Sequence, residues 1–358
     1  FNTMEKTHTK EVCFEDLGIS PEILGVIQKL HYTVPTLIQQ KAILPCIEGK
    51  DLVGIAQTGT GKTLAFAVPM LQRLMEMKGK IGLVVVPTRE LAAQVEETFV
   101  KVGGPLGVRT ALLIGGAAMG PQLGAIRRGP HVIIGTPGRI NDHLAQRTFT
   151  GDTVAILVLD EADHMFDMGF LPQIKDIIAA VPVKRQTLLF SATMPQEIFT
   201  LASRHMQTPL RIEIARSGTV ADRMDQEIFV ITKDQKNRLL EHLLMEYKGS
   251  VLIFCRTKHG AKKLTANIRV MGHSVSEIHS NRSLGQRREA LDSFKSGAKR
   301  VLVATDIAAR GIDVSGIELV VNYDLPEQAE DYVHRIGRTG RAGMAGKAVS
   351  LVTADQYY

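Results

Sequence analysis

Short runs of consecutive apolar residues alternate along the first part of the chain with longer stretches whose apolar positions recur at helical intervals. Residues 52–56, 81–86, 132–135, 155–159 and 187–190 are apolar at nearly every position. A strand with one wet face alternates polar and apolar residues, so runs without alternation predict strands covered on both faces, as in parallel sheets. Between them, 90–102 and 172–180 carry the helical period. Strand and helix in turn predict a doubly wound α/β domain.

The rhythm breaks at Ala215-Arg216-Ser217-Gly218-Thr219, which is small, polar and aperiodic. A linker over 215–223 is expected there, dividing a first domain, 14–214, from a second, 224–358. The α/β pattern then resumes, with strands predicted at 251–254, 301–304 and 319–322 and a helix at 236–247. Residues 1–13 are read as a flexible polar tail.

Composition narrows the function classes. A chain of 358 residues has room for two domains, and 44% hydrophobic residues argue against global disorder. Aromatics make up 5% and tryptophan is absent, so base stacking on broad aromatic platforms is not the expected device. A net charge of +6 is compatible with a polyanionic partner without requiring one. Cys13, Cys46 and Cys255 are far apart and lack metal-ligand spacing, which points to a reducing compartment rather than a disulfide framework or zinc site. With no apolar run of spanning length, the expectation is a soluble, cytoplasmic protein.

The chemistry is concentrated in short motifs. Ala56-Gln57-Thr58-Gly59-Thr60-Gly61-Lys62-Thr63 lies between a predicted strand and a helix expected to begin near Leu64. It resembles a Walker A loop with alanine in the first glycine's place. Gly59 and Gly61 permit a tight turn that brings backbone N–H groups, including those of Thr58 and Thr60, to phosphate oxygens. Lys62 would reach the β- and γ-phosphates, and the Thr63 hydroxyl would ligate Mg²⁺. Downstream, an apolar strand runs into Asp160-Glu161-Ala162-Asp163. Asp160 is placed to hold Mg²⁺, and Glu161 to orient or deprotonate a water.

That tetrad spells DEAD, and other stretches match the motifs of DEAD-box RNA helicases in their order. These are Pro87-Thr88-Arg89-Glu90-Leu91-Ala92, Gly115-Gly116, Thr136-Pro137-Gly138-Arg139 and Ser191-Ala192-Thr193. They continue with Ala304-Thr305-Asp306, Ala309-Arg310-Gly311-Ile312-Asp313 and His334-Arg335-Ile336-Gly337-Arg338-Thr339-Gly340-Arg341. From about Phe14 to Val352 the chain therefore resembles a superfamily 2 core of bacterial type.

The resemblance implies two tandem RecA-like domains, each a mostly parallel sheet flanked by helices, that close around ATP and RNA. It implies that Gln39 reads adenine and Phe14 packs on the base, that Asp313 contacts the ribose, and that Arg338 and Arg341 reach the γ-phosphate. Asp160, Ser191, Thr193 and His334 would link nucleotide and RNA sites. RNA contacts map onto Pro87, Thr88, Arg89, Gly116, Thr136, Pro137 and Arg139, then Arg256, Gln286 and Thr305. Groups of this kind donate to phosphates without consulting base identity, so a sequence-independent grip on single-stranded RNA or RNA duplex is expected. Arg335, Arg338 and Arg341 share three-residue spacing, but Gly337 and Gly340 argue against a long helix there. The chain departs from common family forms at His164, Arg288-Glu289 and His279-Ser280. An RNA-stimulated ATPase that separates short duplexes is the leading expectation. An ATP-gated RNA clamp and a DNA translocase are its alternatives.

Overall fold

The computed structural model describes residues 12–57, 59–214, 224–306, 317–326, 329–339 and 346–353. The chain divides into two compact units, Phe1–Ala215 and Arg216–Tyr358. The expected linker, 215–223, and most of the polar tail lie outside the described residues.

In the first unit the strands are β1 (Leu52–Ile55), β2 (Ile81–Val85), β3 (Thr110–Leu113), β4 (Val132–Gly135), β5 (Val154–Leu159), β6 (Gln186–Ser191) and β7 (Leu210–Glu213). Its helices are α1 (Pro21–Lys29), α2 (Leu37–Ile47), α3 (Lys62–Glu76), α4 (Arg89–Gly103) and α5 (Met119–Arg127). They are followed by α6 (Pro137–Ala145), α7 (Ala162–Asp167), α8 (Leu171–Ala180) and α9 (Gln196–His205). The strands form one sheet in the order β3-β4-β2-β5-β6-β1-β7, and every pairing is parallel.

All four positions of β1 and β4, and all six of β6, are buried. That is the two-sided covering their unbroken apolar runs require. One face packs Val53, Leu83, Leu157 and Leu189 against Ile174, Ile177 and Ile198 of the helices. On the other, Phe66 meets Phe99 and Phe190, ring centroids 6.3 and 5.5 Å apart.

The second unit contains β8 (Met224–Val230), β9 (Val251–Phe254), β10 (Val275–Ile278), β11 (Val301–Ala304), β12 (Leu319–Asn322) and β13 (Gly346–Val352). Its described helices are α10 (Gln235–Glu246), α11 (Lys258–Val270), α12 (Leu284–Lys295) and α13 (Ala329–Ile336). These strands make a second parallel sheet, in the order β10-β11-β9-β12-β13-β8. α11 packs on one face through Leu264 and Ile268, and α12 on the other through Leu291 and Phe294. Both units are thus helix–sheet–helix layers, as the strand–helix alternation predicts.

Candidate nucleotide and RNA sites

In a parallel sheet the carboxyl ends of the strands share one edge, and the loops leaving it gather in space. β5, β6 and β1 are neighbours, so the acidic tetrad, Ser191-Ala192-Thr193 and the Walker-like loop emerge side by side. The residues mapped to RNA in this unit follow β2, β3 and β4, on the other half of the same edge.

Helix α3 begins at Lys62, two residues before the expected Leu64, so Thr63 lies in its first turn. The loop before it needs its glycines: Gly59 and Gly61 have φ of 82° and 87°. A Cβ on Gly61 would stand 2.4 Å from Gln39 Nε2. The Thr60 hydroxyl donates to the Gln57 carbonyl at 2.7 Å, while Thr58 lies outside the described residues. Lys62 is buried, and among the described residues its ammonium has no hydrogen-bond partner. A buried cation is costly unless anionic oxygens meet it, so the pocket is chemically suited to phosphate.

Gln39 is held at both ends. Its Oε1 accepts from the Thr36 N–H at 2.9 Å and its Nε2 donates to the Gly61 carbonyl at 3.0 Å. Gln39 is therefore fastened to the glycine-rich loop before α3. Phe14 is 2% exposed, its ring covered by the unit's own atoms.

Asp160 is also buried, and this loss of water pushes its carboxyl up to about 6; Lys62 opposes the rise and Glu161 adds to it. Glu161 adopts φ 53°, a left-handed conformation that is uncommon outside glycine. Its Oε2 lies 3.2 Å from His164 Nδ1, and both side chains are buried. Thr63 and Asp160 offer oxygen ligands of the kind a hard divalent cation accepts while keeping part of its water shell.

The resemblance groups Asp160 with Ser191, Thr193 and His334 as links between the nucleotide and RNA sites. The residue that bonds Ser191 and Thr193 directly is Asp163, which that grouping did not include. Asp163 Oδ2 accepts from Ala192 N, Thr193 N and Thr193 Oγ1 at 3.1, 2.8 and 3.0 Å. Its own N–H donates to Ser191 Oγ at 3.0 Å. The cause is local: Asp163 lies on α7, facing the end of β6, whereas Asp160 directly follows β5 with its N–H on the Val85 carbonyl.

The RNA-mapped residues of this unit are brought together. Thr88 caps α4, accepting from Leu91 N at 3.2 Å, and Thr136 and buried Pro137 begin α6. Arg89 lies against Gly116, whose φ is 72°; a Cβ there would stand 2.2 Å from the guanidinium. Arg139 donates to the Ala117 carbonyl at 3.1 Å. Sequence reasoning missed the support beneath this loop. Buried Gln122 donates to the Ile114 and Ala118 carbonyls, both at 3.2 Å, and its Oε1 pairs with His143 Nε2 at 3.2 Å. Gln122 is polar on an otherwise apolar helix face, which was the available signal.

In the second unit Arg256 follows β9 and is exposed, and Thr305 follows β11. Gln286 is exposed and caps its own helix, its Oε1 accepting from Ser283 N at 3.1 Å. His334 is half-buried on α13; Arg338 lies just beyond that helix and is buried. Asp313 and Arg341 lie outside the described residues. Arg335, given no separate role from sequence, is heavily bonded. It pairs with both Asp306 oxygens at 2.5 and 2.6 Å, donates to Asn322 Oδ1 and the Asp324 carbonyl, and stacks 5.0 Å from the Phe254 ring. Asp324 Oδ2 in turn accepts the Arg256 N–H at 3.1 Å.

Comparison with known proteins decides the family. Residues 36–201 match the model of the DEAD/DEAH box helicase family, and 235–343 match the helicase conserved C-terminal domain. A curated relative, the ATP-dependent rRNA helicase RRP3 of Meyerozyma guilliermondii, is 42% identical over 355 residues, covering 98% of this chain and 74% of that protein. The chain belongs to the DEAD/DEAH box helicase family. As such a helicase it also matches solved structures over both units. Saccharomyces cerevisiae Dbp5 bound to RNA and ADP BeF3 aligns with a TM-score of 0.83 at 30% identity, covering 95% of this chain and 89% of that one. A DEAD box protein from Methanococcus jannaschii aligns at 0.56 and 37% identity, covering 96% and 94%.

Proposed function

We propose that this DEAD-box helicase couples ATP hydrolysis to local, sequence-independent remodelling of short RNA duplexes, with the labour divided along the edges of its two sheets. The observation that carries the nucleotide half is Lys62, at the start of α3, a buried ammonium with no hydrogen-bond partner among the described residues. In this reading Lys62, the loop N–H groups and the α3 N-terminus receive the phosphates. Gln39 would add the adenine edge to the two bonds it already makes. Thr63 and Asp160 would hold Mg²⁺, partly through water, and that ion would offset phosphate charge. Glu161, fixed by His164, would orient the water that attacks the γ-phosphate. Asp313 would contact the ribose, and Arg338 and Arg341 would supply positive charge to the transferring phosphoryl group.

RNA would lie along Pro87, Thr88, Arg89, Gly116, Thr136, Pro137 and Arg139 in one unit and Arg256, Gln286 and Thr305 in the other. Coupling would run from the tetrad through Asp163 to Ser191 and Thr193, with His334 on the second unit's side. If ATP and RNA both favour the same closed arrangement, each strengthens the other's binding. A reducing, cytoplasmic setting belongs to this reading, supported by the free thiols of Cys13, Cys46 and Cys255.

The test is ATP turnover with and without single-stranded RNA, with matched DNA as control and Glu161→Gln as the blank. Stimulation by RNA, abolished in the variant, is expected. Stimulation by DNA alone, or an active Glu161→Gln enzyme, overturns the assignment.

A further inference from the structure

Helix α11 carries charge that the sites above do not use. Its thirteen residues, KHGAKKLTANIRV, include Lys258, Lys262, Lys263 and Arg269 and no acid. Four positive charges on one helix compare with +6 for the whole chain. Successive helical residues are rotated by about 100°, which places these four and His259 on one arc. All five are exposed, while Ala261, Leu264, Thr265 and Ile268 face inwards and are buried.

Elsewhere the fold offsets such charge within the helix, in Lys101–Glu97 of α4, Arg139–Asp142 of α6 and Arg288–Asp292 of α12. Among the described residues, none of the four α11 cations has an ion pair. Like charges at i, i+4, such as Lys258 and Lys262, disfavour an isolated helix. The apolar face pays this cost in packing, and the charged arc is left for an anion outside the protein.

Position identifies the anion. α11 starts two residues after Arg256, at the carboxyl end of β9, and runs back along the flank of the sheet. A phosphate chain held at Arg256 and Thr305 would meet Lys258 and His259 first, then Lys262 and Lys263. We propose that the exposed face of α11 is a second RNA-backbone surface, taking phosphates beyond the segment held at the strand ends. The helix is about 20 Å long, long enough to meet several successive phosphates. This inference rests on the RNA-binding function proposed above.

The experiment compares the full chain with Lys262→Ala/Lys263→Ala and Lys262→Glu/Lys263→Glu, folding being checked by circular dichroism and Tm. Affinity for a short oligouridylate, filling only the strand-end track, and for one about ten nucleotides longer is measured across a salt series with an ATP analogue present. The parent protein should bind the longer RNA more tightly and with a steeper salt dependence. Both variants should lose that gain, the slope of log K against log salt falling by about 1.4 for two contacts at about 0.7 each. Binding of the short RNA and the turnover it stimulates should not change. Variants that keep the parent's length gain and salt slope overturn the proposal. If the parent binds neither RNA, the RNA-binding function itself fails, and the α11 surface with it.

Discussion

Within the tetrad, two aspartates three residues apart have different physical roles. Asp163 spends its carboxylate on three donors of the turn after β6, whereas Asp160 is buried with its carboxyl raised from 3.8 to about 6. A carboxyl with a higher pKa in the folded state holds its proton more tightly there, so folding is favoured at low pH and loses that advantage as pH rises from about 4 to about 6. The rise corresponds to a cost on the order of 3 kcal/mol at neutral pH. Asp160→Asn should therefore melt above the parent at pH 8 without nucleotide, with the gap closing towards pH 4, while turnover is lost. An equal or lower Tm at pH 8 would count against this. His164 is the second residue-scale prediction: its contact with Glu161 is one hydrogen bond between buried groups. Loss of about 1.4 kcal/mol of positioning is about tenfold in kcat. His164→Phe should show that fall with little change in KM for ATP, and His164→Asn should recover part of it. Steady-state kinetics with saturating RNA would reveal a KM effect instead, if His164 serves only packing.

At the scale of elements, legibility follows burial. The strands read from unbroken apolar runs, including β1, β4, β9, β11 and β12, are interior to their sheets. Those not read include β3, β7, β8 and β10, the four sheet edges. An edge strand is half covered, and β7 buries only Ile212 of its four residues, so no run forms to be recognised. Motif loops were legible because phosphate chemistry demands particular residues at fixed spacing. Their supports were not, since Gln122 and Arg335 act through partners 21 and 29 residues away. Replacing Gln122 with leucine should loosen the 114–118 loop. The RNA concentration for half-maximal stimulation should rise about tenfold, the equivalent of one to two lost buried hydrogen bonds. Turnover without RNA should hold. A titration of ATPase activity against RNA checks this, and an unchanged midpoint would mean that the loop keeps its shape unaided.

Over the whole molecule, each unit has its own sheet and its own core, and Arg335 binds the ends of three strands in the second. Asp306 is partly exposed, so removing buried Arg335 costs less than the ~3–5 kcal/mol of a fully buried pair, yet still leaves the strand ends without their common partner. Arg335→Met should lower one calorimetric unfolding transition, that of the second unit, and leave the other where it was. A common downward shift would show that the two units unfold together. The grouping of functional loops at the carboxyl edges has a practical corollary at the opposite ends. Val183, 86% exposed before β6, and Val270, 89% exposed at the end of α11, mark the amino-edge side of each sheet. Cys46 and Cys255 are buried, so once Cys13 is replaced, a cysteine at each valine gives one dye position per unit away from the strand-end motifs. Fluorescence energy transfer between them would follow the separation of the units through the ATP cycle in single molecules, with the catalytic loops left unlabelled.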